Sequence, residues 1–365
     1  MKKLLKLLPF FLASVALFSS CSDDDDDNGD SSYSDQIEGA YIVNYGGYGV
    51  GSSSITKYNY TDDEVTQYYY QLQNDYSPIT SAPQFAYNYD GTIYLMNNEP
   101  DNIILVNELF VIQDTITTSI VKPRACAGYG DYLYISCWGA NPDWVDLPDS
   151  YIVKYNVLTG NVEETISLPG GPEGLQISNG KLYAALNYSQ SVAVIDLTTE
   201  AISYIETPAV ASSLIKDDSG NLYVALISSY THAATQTGLG YINTTTDVLT
   251  VYDLDNVSTA YASVIALSKD ETKVYVVAAS YDASWNLVGG VQIFDVASGA
   301  FESTALLSDV TGINGVSVNP ENGDIYVFVS NGSTTKGTMQ IYSADGTYED
   351  TKTVGAAPAM ALFLD

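Results

Sequence analysis

The sequence predicts an all-β fold, a seven-bladed β-propeller of four-stranded antiparallel blades over residues 38–365. Three observations predict it. A strand pattern that contains one tyrosine recurs seven times, about every 47 residues, which is the length of one four-stranded blade. A second apolar strand pattern follows each copy of the first. No apolar pattern with helical spacing recurs between these strands, which argues against an α/β fold.

The repeated tyrosine strand reads Gly-x-(Leu/Ile)-Tyr and continues with apolar residues. Its clearest copies are GTIYLMN from Gly91, GKLYAAL from Gly180, GNLYVAL from Gly220 and GDIYVFV from Gly323. Because the tyrosine recurs at one position of every strand, we expect it to pack between blades rather than to bind a ligand. The aligned residues are Tyr41, Tyr94, Tyr134, Tyr183, Tyr223, Tyr275 and Tyr326.

The other strands of each repeat differ in polarity. The strand after the tyrosine strand is apolar or alternating and ends in turn residues, as in SVAVIDL and VQIFDVA. The strand that follows is more polar, as in the run from Asn161. A short strand precedes most tyrosine strands, for example from Glu173 and around Gly315. The first strand of each repeat is therefore expected at a packed axis, and the fourth is expected to face water.

The two ends of the chain predict how the ring closes. The segment from Ala357 matches the innermost-strand pattern that begins at Pro208, but no tyrosine strand follows it. The tyrosine strand that begins at Gly39 has no innermost strand before it. We therefore expect residues 360–364 to supply the inner strand of the first blade, which removes both free sheet edges.

Residues 1–20 have the features of a signal peptide. Lys2 and Lys3 precede an apolar stretch at 7–18, which is too short to span a bilayer core of roughly 30 Å. Small residues before Cys21 resemble a bacterial lipobox, and the acidic run after it cannot pack, which predicts a tether over residues 21–37. Lipid on Cys21 would then be the only membrane anchor, and an ordinary signal peptide cut nearby is the alternative.

Composition and missing motifs exclude several functions. A formal net charge of −31 repels phosphate backbones and argues against nucleic-acid binding. There is no Gly-rich phosphate loop, HExxH or GxSxG, and His232 is the only histidine, so we predict no catalytic residue, metal or cofactor. A carboxylate pair of a glycoside hydrolase stays open as the alternative to solvated loop charge. Its candidates are Glu99, Asp143, Asp146 and Asp149.

Cys126 and Cys137 fall on neighbouring strands of the third repeat, at diagonal positions. Diagonal neighbours are separated by roughly 7–8 Å, which is long for a disulfide. We favour two buried thiols, although export of the chain would permit the bond.

One face of the predicted propeller carries unusual loops. This loop face holds the loops between second and third strands and those between blades, including a predicted loop from Ser280 to Gly290. Aromatic rings mixed with amides there suit a flat macrocycle or the apolar face of a sugar, and packing of loop against loop is the alternative. The candidate ligand-binding residues are Tyr45, Asn98, Trp138, Trp144, Asn187, Tyr188, Tyr230, Tyr281 and Trp285.

The unit from Lys181 to Ile202 resembles the YVTN-type repeat of seven-bladed propellers, as does the unit from Val274 to Phe301. Together with the lipobox at Cys21, the chain looks like the surface propeller lipoproteins of gut Bacteroidetes, some of which capture corrinoids. The resemblance implies a non-enzymatic protein that faces outward on the outer membrane, binds a corrinoid or a glycan, and passes it to a transporter. A module that docks on a transporter or a neighbouring lipoprotein, and a carbohydrate-active enzyme, are the alternatives.

Overall fold

The structure, a computed structural model, describes residues 38–141, 143, 145–229, 232–234, 236–255, 264–284 and 286–364. In these residues, seven antiparallel sheets form the blades of a β-propeller, and six of them have four strands. The innermost strand of each blade contacts the innermost strand of the next, around the whole ring. The predicted fold is confirmed. Cys21 and the predicted tether lie outside the described residues.

Each blade has four strand positions, which are counted from the axis outward. The strands themselves are labelled β1 to β29 in chain order. The second strands, which carry the aligned tyrosines, are β1 (Gly39–Asn44), β5 (Thr92–Asn98), β9 (Tyr132–Cys137), β13 (Lys181–Leu186), β17 (Leu222–Ile227), β21 (Lys273–Tyr281) and β26 (Ile325–Val329). The third strands are β2 (Ser54–Asn59), β6 (Asn102–Val106), β10 (Tyr151–Asn156), β14 (Ser191–Asp196), β18 (Gly238–Asn243), β22 (Leu287–Asp295) and β27 (Lys336–Tyr342).

The first and fourth positions differ in burial, as the polarity pattern predicts. The innermost strands are β4 (Ala82–Tyr89), β8 (Pro123–Tyr129), β12 (Pro172–Ser178), β16 (Val210–Lys216), β20 (Ile265–Leu267), β25 (Ile313–Val318) and β29 (Pro358–Leu364). The outermost strands, which are largely exposed, are β3 (Glu64–Thr66), β7 (Ile112–Ile116), β11 (Asn161–Ser167), β15 (Ile202–Glu206), β19 (Val248–Asp253), β23 (Ala300–Phe301) with β24 (Leu307–Thr311), and β28 (Tyr348–Ala356).

The aligned tyrosines form one layer of the core. All seven are at most 4% exposed. In β1, Tyr41 stacks on Phe110 of the next blade, with ring centroids 4.6 Å apart. Each tyrosine therefore packs between sheets, which confirms that the repeated position serves the fold.

The last strand closes the ring. β29 pairs antiparallel with β1, so that Met360 lies opposite Val43 and Leu364 lies opposite Gly39. The first blade therefore combines the two ends of the described chain, as predicted.

The hairpin of the sixth blade is longer than the sequence predicts. The predicted loop from Ser280 to Gly290 is wrong at both ends, because β21 continues to Tyr281 and pairs there with Leu287 of β22. The extended β22 also pairs with β24. A Cβ atom on Gly290 would lie 1.9 Å from the carbonyl oxygen of Leu307, so the missing side chain is what lets β24 approach.

Helix α1 (Tyr69–Gln73) lies between the first and second blades and is the one helix among the described residues. No helix in that part of the chain is long and apolar enough to cross a bilayer.

Cys126 and Cys137 are both buried and both free, which agrees with the favoured interpretation. Cys126 lies opposite Ile135, and Cys137 lies opposite Pro123, so the two thiols are on diagonal positions of the hairpin. Burial raises the pKa of both thiols, to about 12 for Cys137, so neither is activated as a nucleophile.

Candidate functional site

The innermost strands share an irregularity where they leave the loop face. Six of the seven innermost strands shift register within their first residues, in a way that leaves one or two residues out of the ladder. A bulge of this kind re-aims a side chain and is common beside binding sites. Most of the residues left out are polar, and they surround the axis. They include Gln84, Arg124, Glu173, Ser212 and Asn314.

Arg124 and Glu173 form a buried ion pair at this end of the axis. Nε of Arg124 donates to Oε2 of Glu173 at 2.8 Å, and Nη2 donates to Oε1 at 2.7 Å. The two residues are 5% and 8% exposed. Two parallel charge-assisted bonds fix the plane of the guanidinium and neutralise both charges.

Two amides complete the contacts of the guanidinium. Nη1 of Arg124 donates to Oε1 of Gln84 on the second blade. With its amide oxygen turned toward the guanidinium, Asn98 accepts from the same Nη1 at 3.2 Å and donates to the carbonyl oxygen of Pro123 at 3.2 Å. Arg124 thus joins the second, third and fourth blades, and the candidate residue Asn98 orients it.

Trp138 covers the guanidinium. The guanidinium carbon of Arg124 lies 4.3 Å from the centroid of the Trp138 ring, which is a cation–π contact. Tyr188 of the fourth blade then packs its ring edge-on to Trp138, at 5.3 Å between centroids and 84° between planes. Trp138 is only 8% exposed, so it is the buried base of the site rather than its exposed surface.

The pKa values of Arg124 and Tyr188 are shifted by burial and by the charged groups beside them. Burial alone would lower the pKa of Arg124, but the Glu173 carboxylate outweighs it, and the pKa of Arg124 is raised. Burial raises the pKa of Tyr188, and Glu173 adds to the effect, while Arg124 opposes it. Both groups therefore keep their usual protonation states, with Arg124 charged and Tyr188 neutral.

The loop of the first blade brings two more aromatic rings. Tyr45 is buried, and Tyr48 is 44% exposed, with their ring centroids 5.2 Å apart at 88°. Both are close enough to contribute to the raised pKa of Arg124. The hydroxyl of Ser52 donates to the carbonyl oxygen of Ser333 at 2.6 Å, which ties this loop to the seventh blade.

A glycine allows the loop of the third blade to lie under Tyr188. Gly171 has φ +67°, and a Cβ atom there would lie 2.9 Å from both Tyr188 and Leu147. Leu147 itself is 1% exposed. Only glycine fits this position, so Trp138, Leu147 and Tyr188 meet over a bare stretch of backbone.

Asn187 adds a polar group beside Tyr188. Its backbone nitrogen donates to the carbonyl oxygen of Gly171 at 2.9 Å, which fixes the loop. Its side-chain Oδ1 is buried and accepts no hydrogen bond from the described residues. An orphaned acceptor of this kind costs free energy unless a ligand or water donates to it.

The loops of the third and fifth blades meet across the fourth. Nε2 of His232 lies 3.8 Å from Oδ1 of Asp146. Asp146 is exposed, as are Glu99, Asp143 and Asp149. Among the described residues, no three metal-ligating side chains come together.

Of the remaining candidates, one lies on the hairpin of the sixth blade and three lie outside the described residues. Tyr281 is 50% exposed at the tip of the sixth-blade hairpin, where it pairs with Leu287. The candidates outside the described residues are Trp144, Tyr230 and Trp285.

Sequence reasoning missed Arg124, Glu173 and Gln84. One signal was available, because Arg124 is the only arginine of the chain and follows a proline in an innermost strand. Glu173 follows Pro172, and Gln84 follows Pro83, at the same position of neighbouring repeats. Comparing this one position between repeats would have found all three.

The chain matches one described protein family and is similar to several solved structures. A family profile described as "Domain of unknown function (DUF5074)" matches residues 38–364. No curated protein matches the chain. A solved quinonprotein alcohol dehydrogenase-like protein from Bacteroides thetaiotaomicron is 15% identical, with a TM-score of 0.66, over 90% of this chain and 78% of that protein.

Two further solved structures, both candidate 6-phosphogluconolactonases, are similar. The protein from Bacteroides fragilis is 15% identical, with a TM-score of 0.63, over 92% of this chain and 100% of its own. The protein from Bacteroides uniformis is 14% identical, with a TM-score of 0.60, over 90% and 100%. At such identities the likeness shows the propeller fold alone.

Proposed function

The chain belongs to the DUF5074 family, whose description assigns no activity, and we propose from its own site that it is a non-enzymatic protein that binds a small molecule on the loop face. The observation that carries the proposal is the convergence of Trp138 and Tyr188 on the buried pair of Arg124 and Glu173. Aromatic walls with a few fixed polar groups are the usual composition of ligand sites.

The ligand that suits this surface is a corrinoid or a glycan. Tyr48 and Tyr188 offer aromatic surface beside the axis, and the buried Oδ1 of Asn187 offers an acceptor for an amide or hydroxyl donor. Corrinoids carry peripheral amides around a flat ring, and glycans carry hydroxyls around an apolar ring face. Because Arg124 and Glu173 neutralise each other, the site favours an uncharged ligand.

We further propose that the protein is held on the outer surface of the outer membrane by lipid on Cys21 and delivers its ligand to a transporter. The acidic run after Cys21 supports an extended tether. Metabolic labelling of the full chain with a radioactive fatty acid would test the anchor. We expect label in the wild type and none in Cys21→Ala, and label in both would contradict the proposal.

Calorimetric titration of the full chain with cyanocobalamin and with a panel of neutral oligosaccharides would test the function. We expect at least one of them to bind, and Tyr188→Ala and Tyr48→Ala each to weaken binding by about threefold to tenfold, since one aromatic contact contributes about 0.5–1.5 kcal/mol. Tyr204→Ala is the matched control, because Tyr204 is 50% exposed on the outermost strand β15, far from the axis. No heat with any ligand, or equal losses in all three variants, would contradict the proposal.

A second candidate is a module that docks on a transporter or a neighbouring lipoprotein. The observation that favours it is a group of exposed apolar side chains around helix α1, where Tyr68, Leu72 and Tyr76 are 47%, 44% and 77% exposed. Single exposed apolar residues are ordinary, but a group of this kind marks interaction surfaces. Copurification with a transporter that is lost in Tyr68→Ser with Tyr76→Ser would favour docking over capture.

A further inference from the structure

A cavity lies at the end of the axis opposite to the loop-face site. We call this end the turn face, because it holds the turns between first and second strands. The cavity has a volume of about 500 Å³ and lies between the innermost strands of the second to fifth blades, β4, β8, β12 and β16. This volume is within the usual range of small-molecule sites. No residue of the Arg124 cluster lines it.

One wall of the cavity is aromatic and aliphatic. Phe85, Tyr87 and Tyr89 occupy alternate positions of β4, and their rings are nearly parallel, at 17° and 18° between successive planes. Phe85 and Tyr87 line the cavity, and Leu175 and Ile177 of β12 line it as well. The backbone nitrogen of Gly128 donates to the Tyr87 hydroxyl at 3.3 Å, which holds that ring in place.

The other wall is polar and carries both signs of charge. Nζ of Lys216, an exposed side chain, donates to the carbonyl oxygen of Ile177 at 3.1 Å, its one hydrogen bond to the described residues. Gln176 donates to the carbonyl oxygen of Leu214 at 3.3 Å, which leaves its amide oxygen as an acceptor.

Two carboxylates complete this polar wall. Asp217 and Asp218 lie at the cavity rim. Asp218 uses its backbone nitrogen to donate to Glu271, and its carboxylate accepts no hydrogen bond from the described residues. Donors and acceptors are thus available side by side, facing an apolar wall.

We propose that the turn-face cavity binds a neutral pyranose ring, as a monosaccharide or disaccharide. Its ring C–H groups pack on Tyr87, and its hydroxyls bond to Lys216, Gln176 and Asp218. A sugar presents an apolar ring face and an edge of hydroxyls that both donate and accept, which is the pattern that these two walls complement. The two carboxylates at the rim, in a chain with a net charge of −31, disfavour an anionic ligand.

Saturation-transfer NMR and calorimetry on the full chain test the proposal with maltose, cellobiose and lactose, and with glucose against glucuronate. We expect a disaccharide to bind and glucose to bind better than glucuronate, which the negative charge repels. Lys216→Met and Asp218→Ala each remove a hydrogen bond from an exposed position, so each weakens binding by about threefold to tenfold without unfolding the chain. Tyr87→Leu removes the aromatic ring on which the sugar packs, so this variant weakens binding as well.

The matched controls lie away from the cavity. Lys154→Met changes a lysine of β10, and Tyr204→Leu changes an exposed tyrosine of β15, so neither alters the affinity. Tyr188→Ala leaves the affinity of the turn-face cavity for these sugars unchanged too, whereas it weakens binding at the loop face, which separates this site from the proposed function. The proposal is overturned if no sugar of the set binds, or if Lys216→Met and Asp218→Ala leave the affinity unchanged, or if Tyr188→Ala alone abolishes binding.

Discussion

Tyr41 of β1 lies directly opposite Leu362 of β29. One residue belongs to the first strand of the described residues and the other to the last, so a single sheet holds both ends of the propeller. The sheet also connects to the seventh blade, because the side-chain nitrogen Nδ2 of Asn314 donates to the carbonyl oxygen of Pro358 at 2.6 Å. The closing strand is therefore part of two blade contacts at once.

Replacing residues 358–364 by a Gly-Ser sequence of equal length is expected to lower the free energy of unfolding by at least about 3 kcal/mol, because Met360 and Leu364 alone lose about 1.5–3 kcal/mol of burial each. Urea unfolding measures the change. The control replaces the three exposed loop residues 158–160 by a Gly-Ser sequence of equal length. An unchanged unfolding midpoint in the strand replacement would refute the closure.

Arg124→Met is expected to lower the free energy of unfolding by about 3–5 kcal/mol, because it leaves the Glu173 carboxylate buried without its partner. The double variant Arg124→Met with Glu173→Met removes both charges and should be more stable than Arg124→Met alone. Urea unfolding of the two variants measures this difference.

The control for this pair is Lys154→Met. Lys154 lies 3.8 Å from Glu200 in a more exposed ion pair, so its loss should cost less than about 1 kcal/mol. If Arg124→Met lowers the free energy of unfolding no more than Lys154→Met does, the ion pair of Arg124 and Glu173 does not stabilise the loop face.

Gly290→Ala is expected to destabilise the sixth blade by about 1–3 kcal/mol, because the new Cβ atom would overlap the backbone of Leu307 and push β24 away from β22. Thermal unfolding gives the change in stability, and amide exchange of residues 307–311 locates it. Ser308→Ala, at an exposed position of β24, should have little effect. Undisturbed exchange in Gly290→Ala would mean that β24 does not need this close approach.

Stability is expected to fall as the pH rises above about 10. Burial raises the pKa of the aligned tyrosines from 10.0, to about 12 for Tyr134, Tyr223 and Tyr275. The unfolded chain releases these protons near its ordinary pKa, and the folded chain holds them longer. The stabilisation is therefore complete below pH 10 and is lost between pH 10 and about 12.

Tyrosinate absorbance at 295 nm and circular dichroism, followed together, measure this effect. The late-ionising tyrosines should ionise together with the loss of β structure, and Tyr275→Phe should lessen the dependence of unfolding free energy on pH. Ionisation of every tyrosine by pH 11 with the dichroism intact would contradict the assignment of the aligned residues to the core.

The fold was predictable because each blade repeats a local pattern. A tyrosine at one position of each second strand and the unpaired pattern from Ala357 were enough to predict seven blades and their closure. The pairing of β24 with β22 was not, because it depends on the close approach of Gly290 to Leu307, which the alternation of apolar and polar residues does not show.

The candidate site was predictable only in part. The loop aromatics could be assigned to one face from the strand order. Their exposure could not, because Trp138 is buried by Arg124 and Tyr188, which come from a different strand and a different blade. A contact between three blades depends on the closed ring, and it becomes visible in the sequence only when equivalent positions of the repeats are compared.

The emission of Trp138 tests the central claim most directly, because this ring lies between Arg124 and Tyr188 at the base of the loop-face site. The measurement is a fluorescence titration of the full chain with the ligand that calorimetry identifies, beside the same titration of Trp138→Phe. Binding at the site predicts a saturable change in emission at the calorimetric affinity, largely lost in Trp138→Phe. An identical change in both proteins, or none at saturation, would contradict binding at this site.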